Sequence, residues 1–322
     1  MAIDLLSIQP HKVSRDLSGY FTYLYGPGGS GKTTFAASAP RPLIIAFERG
    51  YNALPGVFAQ DVNTWGEMKQ ILRELKKPEV KARFSTIAID TVDLASVACE
   101  KYVCGQLDIE NIGDGGWATN GWAKVKREWE QTFKEVAMLG YAIIFISHAK
   151  DKTFTRKDNT TYNQIVPSCS TAYNEIIKNM VDLMGYIDVN QGERQLVLRS
   201  ADGTIDCKSR FKYIDPVIPF SYQSLVDALN KAIDKEAQET NGQYVTEDRS
   251  IDNTVTEYNY DALMAEFQDI VGQLMSKGTT NGPKITAIVE KYLGKGKKVS
   301  DTSPSQAEFI FLIVEEIKSD LM

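Results

Sequence analysis

Histidine and cysteine are scarce. His11 and His148 are the two histidines of the 322 residues, and Cys99, Cys104, Cys169 and Cys207 are the four cysteines. No pair of cysteines stands at zinc spacing, and two distant histidines do not build a metal site of their own. Scattered thiols suit a reducing compartment rather than a disulfide framework. Long apolar runs are also missing: none approaches the roughly 18–20 residues that cross a bilayer. The opening "MAIDLLSIQPHK" has no basic region followed by an apolar one, so no secretory signal is expected. The expectation is a cytoplasmic protein with no membrane partner. Positive charge is short as well, with 36 Lys and Arg against 42 Asp and Glu and a net −6. That deficit is local. Between Asp234 and Glu257 seven acids face only Lys235 and Arg249; the remainder is close to neutral, so bulk charge neither favours nor excludes a polyanionic ligand.

What the chain does have is an alternation of short apolar runs with helical patterns. Strands are expected at 20–25, 42–47, 85–90, 142–147, 183–189 and 194–200. The first four are nearly continuous apolar runs, as parallel strands covered on both faces are. Helices are expected at 32–39, 64–75, 92–103 and 121–139, and the alternation predicts an α/β domain with a doubly wound, mainly parallel sheet. The last two strands, four residues apart around "NQGE", predict a hairpin at the sheet edge. The expected organisation is an N-terminal extension (1–19), the core (20–237), an acidic linker (238–257) and a small helical C-terminal module (258–322). In that module "GKGKK" (294–298) reads either as a contact to phosphates or as an ordinary solvated loop.

The specific signal is "YGPGGSGKTT". Gly26-x-x-x-x-Gly31-Lys32-Thr33 is a Walker A pattern set directly after a strand and opening a helix. The bare pattern arises by chance in about one chain in a hundred of this length; its setting makes it a phosphate loop. Gly26, Pro27, Gly28, Gly29, Ser30, Gly31, Lys32, Thr33 and Thr34 are the expected nucleotide-binding residues. Loop amides converge on phosphate oxygens, Lys32 neutralises β/γ charge, and the Thr33 hydroxyl is an expected Mg²⁺ ligand for bound ATP. Asp90, ending "TIAID", reads as the Walker B aspartate of the same Mg²⁺ or as an acid that merely ends a strand. Hydrolysis further needs a group that orients or deprotonates water. Position 91 is threonine, so no glutamate adjoins Asp90. Glu48, after "PLIIAF", stands at another strand end, and in a parallel sheet all such ends open onto one edge. It is the candidate base, with a solvated turn acid as the other reading. His148, after "AIIFIS", is either a γ-phosphate contact or a structurally satisfied histidine.

This order of parts resembles the RecA-like recombinase core, and more closely the phage-encoded P-loop ATPases described as RecA-like single-strand annealing proteins. The resemblance covers about 18–220. It implies an ATPase stimulated by DNA, a location in the host-cell cytoplasm, and a homo-oligomer, filament or ring, with ATP between subunits. Single-stranded DNA is the implied ligand, and a single-stranded DNA-binding protein is a further implied partner. Glu48 takes the water-activating role. Residues 102–122 and 150–173 look like the two DNA-facing loops. In the second, Lys150, Lys152, Phe154, Arg156 and Lys157, with Tyr162 nearby, combine cations for phosphates with aromatics for stacking. The first loop is acidic before it reaches Trp117 and Trp122. In "DCKSRF", Lys208 and Arg210 match the basic pair that reaches a neighbouring subunit's γ-phosphate. The function so implied is ATP-dependent single-strand binding and annealing. The alternatives are a helicase-like or AAA-type remodelling ATPase acting on DNA or a protein, and a small-molecule kinase.

Overall fold

β-branched and aromatic runs form the strands, and the longer helices between them bury an apolar face. Thr64 shows how a helix is started: its side chain accepts from the Glu67 amide while Glu67 reaches back to the Thr64 amide, a capping box ahead of Trp65. The computed structural model describes residues 6, 8, 10–15, 19–114, 116–246, 258–278 and 281–321, the side chains of Trp117, Thr119 and Lys277 excepted. In chain order come β1 (Val13–Ser14), β2 (Phe21–Gly26), α1 (Lys32–Ala37), β3 (Pro42–Ala46), β4 (Ala59–Asp61), α2 (Trp65–Leu75), α3 (Pro78–Arg83), β5 (Thr86–Asp90), α4 (Val92–Leu107), α5 (Gly116–Thr119) and α6 (Gly121–Met138). Then follow β6 (Ala142–Thr155), β7 (Thr161–Pro167), α7 (Thr171–Met180), β8 (Leu183–Asn190), β9 (Glu193–Val197), β10 (Lys208–Ser209), β11 (Val217–Pro219), α8 (Tyr222–Glu239), β12 (Val245–Thr246), α9 (Tyr260–Lys277), α10 (Asn281–Leu293) and α11 (Ala307–Leu321).

One sheet runs in the order β11-β9-β8-β2-β6-β5-β3-β4, with β10 added to β8 and β7 to β6. From β8 to β4 every neighbouring pair is parallel. Helices cover both faces. On one, α1 and α8 bury Phe35, Leu225 and Leu229 against Leu24, Ile44 and Ile146. On the other, α2, α4, α6 and α7 enclose an aromatic core in which Trp65 stacks on Trp129 at 5.5 Å and Phe133 meets Trp129 edge-on at 4.7 Å. The expected doubly wound, mainly parallel α/β sheet is therefore the observed one, with a helical region at the C-terminal end of the chain.

Some expectations need correction. The hairpin of β8 and β9 forms, Asn190 opposite Glu193, but it is not the sheet edge: β11 pairs outside β9. Residues 150–173 are not a loop. β6 continues through Thr155 and β7 returns antiparallel, Phe154 opposite Tyr162, because Thr, Phe and Tyr alternating with polar residues suit a two-sided ribbon better than a coil. Residues 102–107 belong to α4, and 116–119 and 121–122 to α5 and α6, so the first expected loop is largely helical; its Trp122 is exposed. Of the expected linker, 247–257 lie outside the described residues, while Val245–Thr246 pairs in parallel with Val13–Ser14.

The chain divides into two compact units, one of residues 10–253 and one built on the helices that follow. In the latter, α11 buries Ile310, Ile313, Val314 and Ile317 against Leu274, Ile288 and Val299. That spacing of three, four and seven is one helical face. No helix among the described residues is long and apolar enough to cross a membrane.

Candidate nucleotide site and the hairpin beside it

Strand register brings the site together. Gly26, ending β2, lies opposite His148 on β6; Asp90, ending β5, lies opposite Ile146 on β6 and Ala46 on β3. β6 therefore separates the phosphate-loop strand from the Asp90 strand, and His148 and Glu48 reach the same edge as the loop. The amides of Phe47 and Glu48 both donate to the Asp90 carbonyl, at 2.7 and 2.9 Å, which fixes the turn that carries Glu48.

Within the loop, Gly31 has φ 95°, a conformation that a side chain would strain. Lys32 is buried, and its Nζ donates to the carbonyls of Gly26 and Pro27 at 3.0 and 2.7 Å. Burial lowers its pKa, with Asp90 and then Glu48 pulling it back up. The Ser30 hydroxyl is buried with no hydrogen-bond partner among the described residues. A buried polar group left in that state costs about 1–3 kcal/mol, which a phosphate oxygen would offset.

The Thr33 hydroxyl donates to Asp90 Oδ2 at 2.6 Å. Burial raises the Asp90 pKa, and the Thr33 bond partly offsets the rise. Gly50 is a further part of this corner: a Cβ there would stand 2.6 Å from Thr33 Oγ1 and 3.4 Å from Asp90 Oδ2. Hydroxyl and carboxylate oxygens are hard ligands that fit Mg²⁺. Among the described residues no group of three or more His, Cys, Asp or Glu forms a cage. Mg²⁺ takes one or two protein oxygens and completes its shell with phosphates and water.

Glu48 Oε2 lies 2.9 Å from His148 Nε2, both side chains half-exposed. Behind them stands a residue that the sequence reading passed over. Asp93, in the first turn of α4, accepts from Ser147 Oγ at 3.0 Å, from the His148 amide at 3.2 Å and from Ser168 Oγ. Ser147 and His148 lie in β6 and Ser168 follows β7, so one carboxylate ties both feet of the hairpin.

The hairpin carries the residues expected to meet DNA. Lys150, Lys152 and Phe154 alternate with Asp151, Thr153 and Thr155, so the first three share a face. Phe154 stacks on Tyr162 at 5.6 Å; Lys152 lies over the Phe154 ring at 4.8 Å and Arg156 over the Tyr162 ring at 4.6 Å. Lys150 and Lys152 also reach back, to the Ser168 carbonyl and the Thr171 hydroxyl. Lys157 is exposed in the turn.

Lys208 and Arg210 are elsewhere. β10 pairs with Leu183 and Met184, the start of β8, and Leu183 lies opposite Thr22 near the start of β2. That is the far end of the strands from the loop. Lys208 donates to the carbonyls of Lys178 and Asn179, and Arg210 to Asp182 and the Asn179 carbonyl. Neither reaches the phosphate loop of its own chain. A different arginine does. Arg194, on β9, has its guanidinium 3.3 Å from where a Gly31 Cβ would be and 3.5 Å from the Gly29 carbonyl. Arg194 and Leu196 point to the same face of β9, the face that packs on α1. Among the described residues it has no carboxylate partner. A cation without a countercharge beside an anion-binding loop was not visible in the sequence, because nothing local to "GERQL" states that its hairpin partner β8 flanks the phosphate-loop strand β2.

Over 333 aligned residues the chain is 29% identical to the SPbeta prophage-derived uncharacterized protein YorG of Bacillus subtilis (strain 168), covering 99% of this chain and 98% of that protein. The crystal structure of the RadB recombinase is similar with a TM-score of 0.38 and 15% identity, over 64% of this chain and 90% of that one. A family model described as AAA domain matches residues 18–211, more than half of the chain and the whole of the edge that gathers the phosphate loop, Asp90, Glu48 and His148. The chain belongs to the AAA domain family and carries a P-loop ATPase domain.

Proposed function

We propose that the chain is an ATP-dependent single-stranded DNA-binding protein of the recombination type, which binds Mg-ATP on the phosphate loop and hydrolyses it to reset a homo-oligomer on DNA. The observation that carries the proposal is the continuity of β6. Within seven residues the same strand supplies His148, hydrogen-bonded to the candidate base, and Lys150, Lys152 and Phe154 on one face of the hairpin.

The loop amides and Lys32 hold the β- and γ-phosphates, and Arg194 adds a second cation from the β9 side. Thr33 and Asp90 hold Mg²⁺, which supplies charge neutralisation on the phosphate oxygens. Glu48 takes a proton from the attacking water; the water oxygen bonds to the γ-phosphorus as the β–γ bridging P–O bond breaks, leaving ADP and inorganic phosphate. His148 orients Glu48 and is the residue whose surroundings change when the γ-phosphate leaves. Lys208, half-buried, and Arg210, exposed, are proposed to serve a neighbouring subunit, since they lie at the end of β8 away from their own loop.

The test is ATP turnover with and without oligothymidine, in the parent chain and in Glu48→Gln. Expected are stimulation by the oligonucleotide, salt-sensitive binding to it, and a Glu48→Gln variant that binds ATP but turns it over at least about 100-fold more slowly, the lower end of the usual acid–base contribution. Turnover indifferent to single strands, with no binding to them, refutes the reading. Membership of the AAA domain family favours a second reading, a remodelling ATPase working on duplex DNA or a protein. Strand unwinding, or a closed ring whose turnover rises only with a protein partner, would select it.

A further inference from the structure

The "GKGKK" segment and the helices around it make a second candidate site, remote in sequence from the phosphate loop. α9, α10 and the segment leading to Val299 enclose a groove of ≈ 460 Å³, within the roughly 300–1,000 Å³ of ligand pockets. Its floor is aliphatic: Val289 and Val299 are buried there. Its walls include Met264 and Phe267, each only partly buried within the helical unit's own core, so they hold apolar surface that a ligand could cover. Lys297 and Lys298 stand on the rim.

The charges of this rim are arranged unlike those of the rest of the unit. Lys291 is paired with Glu316 at 2.6 Å, and Lys318 with Glu266 at 2.8 Å. The two acids nearest the rim are occupied by backbone instead: Glu290 accepts from the Gly296 amide at 2.8 Å, and Asp301 from the Lys298 amide at 3.1 Å. These bonds pin the loop and leave Lys297 and Lys298 exposed, with no carboxylate partner among the described residues. Glu290 and Asp301 keep their charge while bonded to these amides, but Lys297 and Lys298 form no ion pair among the described residues, and an apolar trough edged by two such ammonium groups is complementary to a chain that brings carboxylates and bulky apolar side chains together. The aliphatic floor argues against a nucleic-acid strand, which prefers aromatic platforms for its bases.

We infer that the groove between α9, α10 and Lys297–Val299 docks an acidic, apolar peptide segment of a partner protein. The partner's leucine- or phenylalanine-sized side chains cover Met264 and Phe267, and its carboxylates meet Lys297 and Lys298.

The probe is a panel of fluorescein-labelled 12-residue peptides carrying two leucines or two phenylalanines among aspartates, titrated by anisotropy against the full chain. Control peptides replace Asp by Asn or the apolar residues by Ser, and labelled oligothymidine is titrated in parallel. Expected is saturable binding by at least one acidic apolar peptide. Lys297→Glu/Lys298→Glu should weaken it at least about tenfold, as should either control change, and added salt should weaken it further. Met264→Asp, on the partly buried wall, should weaken it as much while the melting temperature stays near that of the parent. ATP turnover should be unchanged in both variants. The inference is overturned by no peptide binding, by binding that ignores both variants, or by a double variant that loses oligothymidine while any peptide binding stands. The last result would assign the lysines to nucleic acid.

Discussion

Arg194→Ala is the sharpest perturbation of the nucleotide site, because the residue was not expected there and its role is confined to charge. The side chain is exposed, and its bond to the Gly29 carbonyl is 3.5 Å long, too long to brace the loop to any useful degree. Truncation should therefore leave the fold alone, within about 0.5 kcal/mol. The electrostatic effect is larger. Two unit charges at 4 Å interact by about 4 kcal/mol at an effective dielectric of 20. Exposure of the guanidinium discounts that to roughly 1–2 kcal/mol, a loss of about 5–30-fold in ATP affinity. The assay is equilibrium titration of a fluorescent ATP with Mg²⁺ at low and high salt, repeated by competition with ADP and AMP. The loss should shrink with salt and be smallest for AMP, which lacks the phosphates at the loop. Arg194→Lys should recover part of it, keeping the charge and losing the fork. Less than a twofold change in ATP affinity, with melting unaltered, refutes the assignment. Lys32→Ala, measured beside it, must lose far more; otherwise the loop itself has been misread.

Three further perturbations bear on the same edge. Gly50→Ala puts a methyl carbon 2.6 Å from Thr33 Oγ1, so the Thr33–Asp90 corner must shift; turnover should fall at least about tenfold with a smaller change in ATP affinity, and an unchanged Mg²⁺ dependence would count against the corner. Asp90→Asn should raise the melting temperature of the nucleotide-free protein at pH 7–8. Burial raises the Asp90 carboxyl above its unfolded value, so its stability contribution is present below the unfolded value and lost as pH rises through the folded one. The gain should vanish on acidification below the usual carboxylate range, while Mg²⁺-dependent turnover is abolished at every pH; a gain independent of pH would reject the cause. Phe154→Ala should weaken binding of oligothymidine by about 1–3 kcal/mol, and Lys152→Ala or Arg156→Ala should each lower the salt slope by about 1; no change in either quantity would clear the hairpin of contact with DNA.

What was legible in the sequence is what local chemistry dictates. Gly26 to Thr34 announces itself because only a glycine-rich turn after a strand has that pattern. Asp90, Glu48 and His148 follow from a rule about strand ends, which needs the strands but not their order. Arg194, Asp93 and Gly50 depend on order. β9 flanks β8, β8 flanks β2, and only that adjacency places Arg194 over Gly31. Asp93 reads in isolation as an ordinary acid in a helix's first turn; three donors converge on it because β6 and the residues after β7 pass beside α4. Gly50 matters because the turn after β3 grazes Thr33. The hairpin was mistaken for a loop because its polar, charged alternation has no apolar side to announce burial. Lys208 and Arg210 rest on resemblance of order alone, because the loop they are proposed to reach belongs to another copy.

Under the proposed function, the arrangement of acids offers a route from the nucleotide site to the hairpin. Asp90, ending β5, and Asp93, in the first turn of α4, flank the start of that helix, one facing the phosphate loop, the other holding Ser147, His148 and Ser168. Hydrogen bonds to a charged acceptor contribute about 1.5–3 kcal/mol each, so the feet of the hairpin are fastened to the helix more firmly than to solvent. His148 belongs to both sets: its amide is held by Asp93, its ring by Glu48. In the proposed coupling, a change in what Glu48 contacts would pass to the strand whose continuation carries Lys150, Lys152 and Phe154. The Phe154–Tyr162 stack joins the two strands of the hairpin near its tip. A flexible loop would dissipate the same displacement, which is why the extension of β6 through Thr155 matters more to the proposed coupling than the charge that the segment carries.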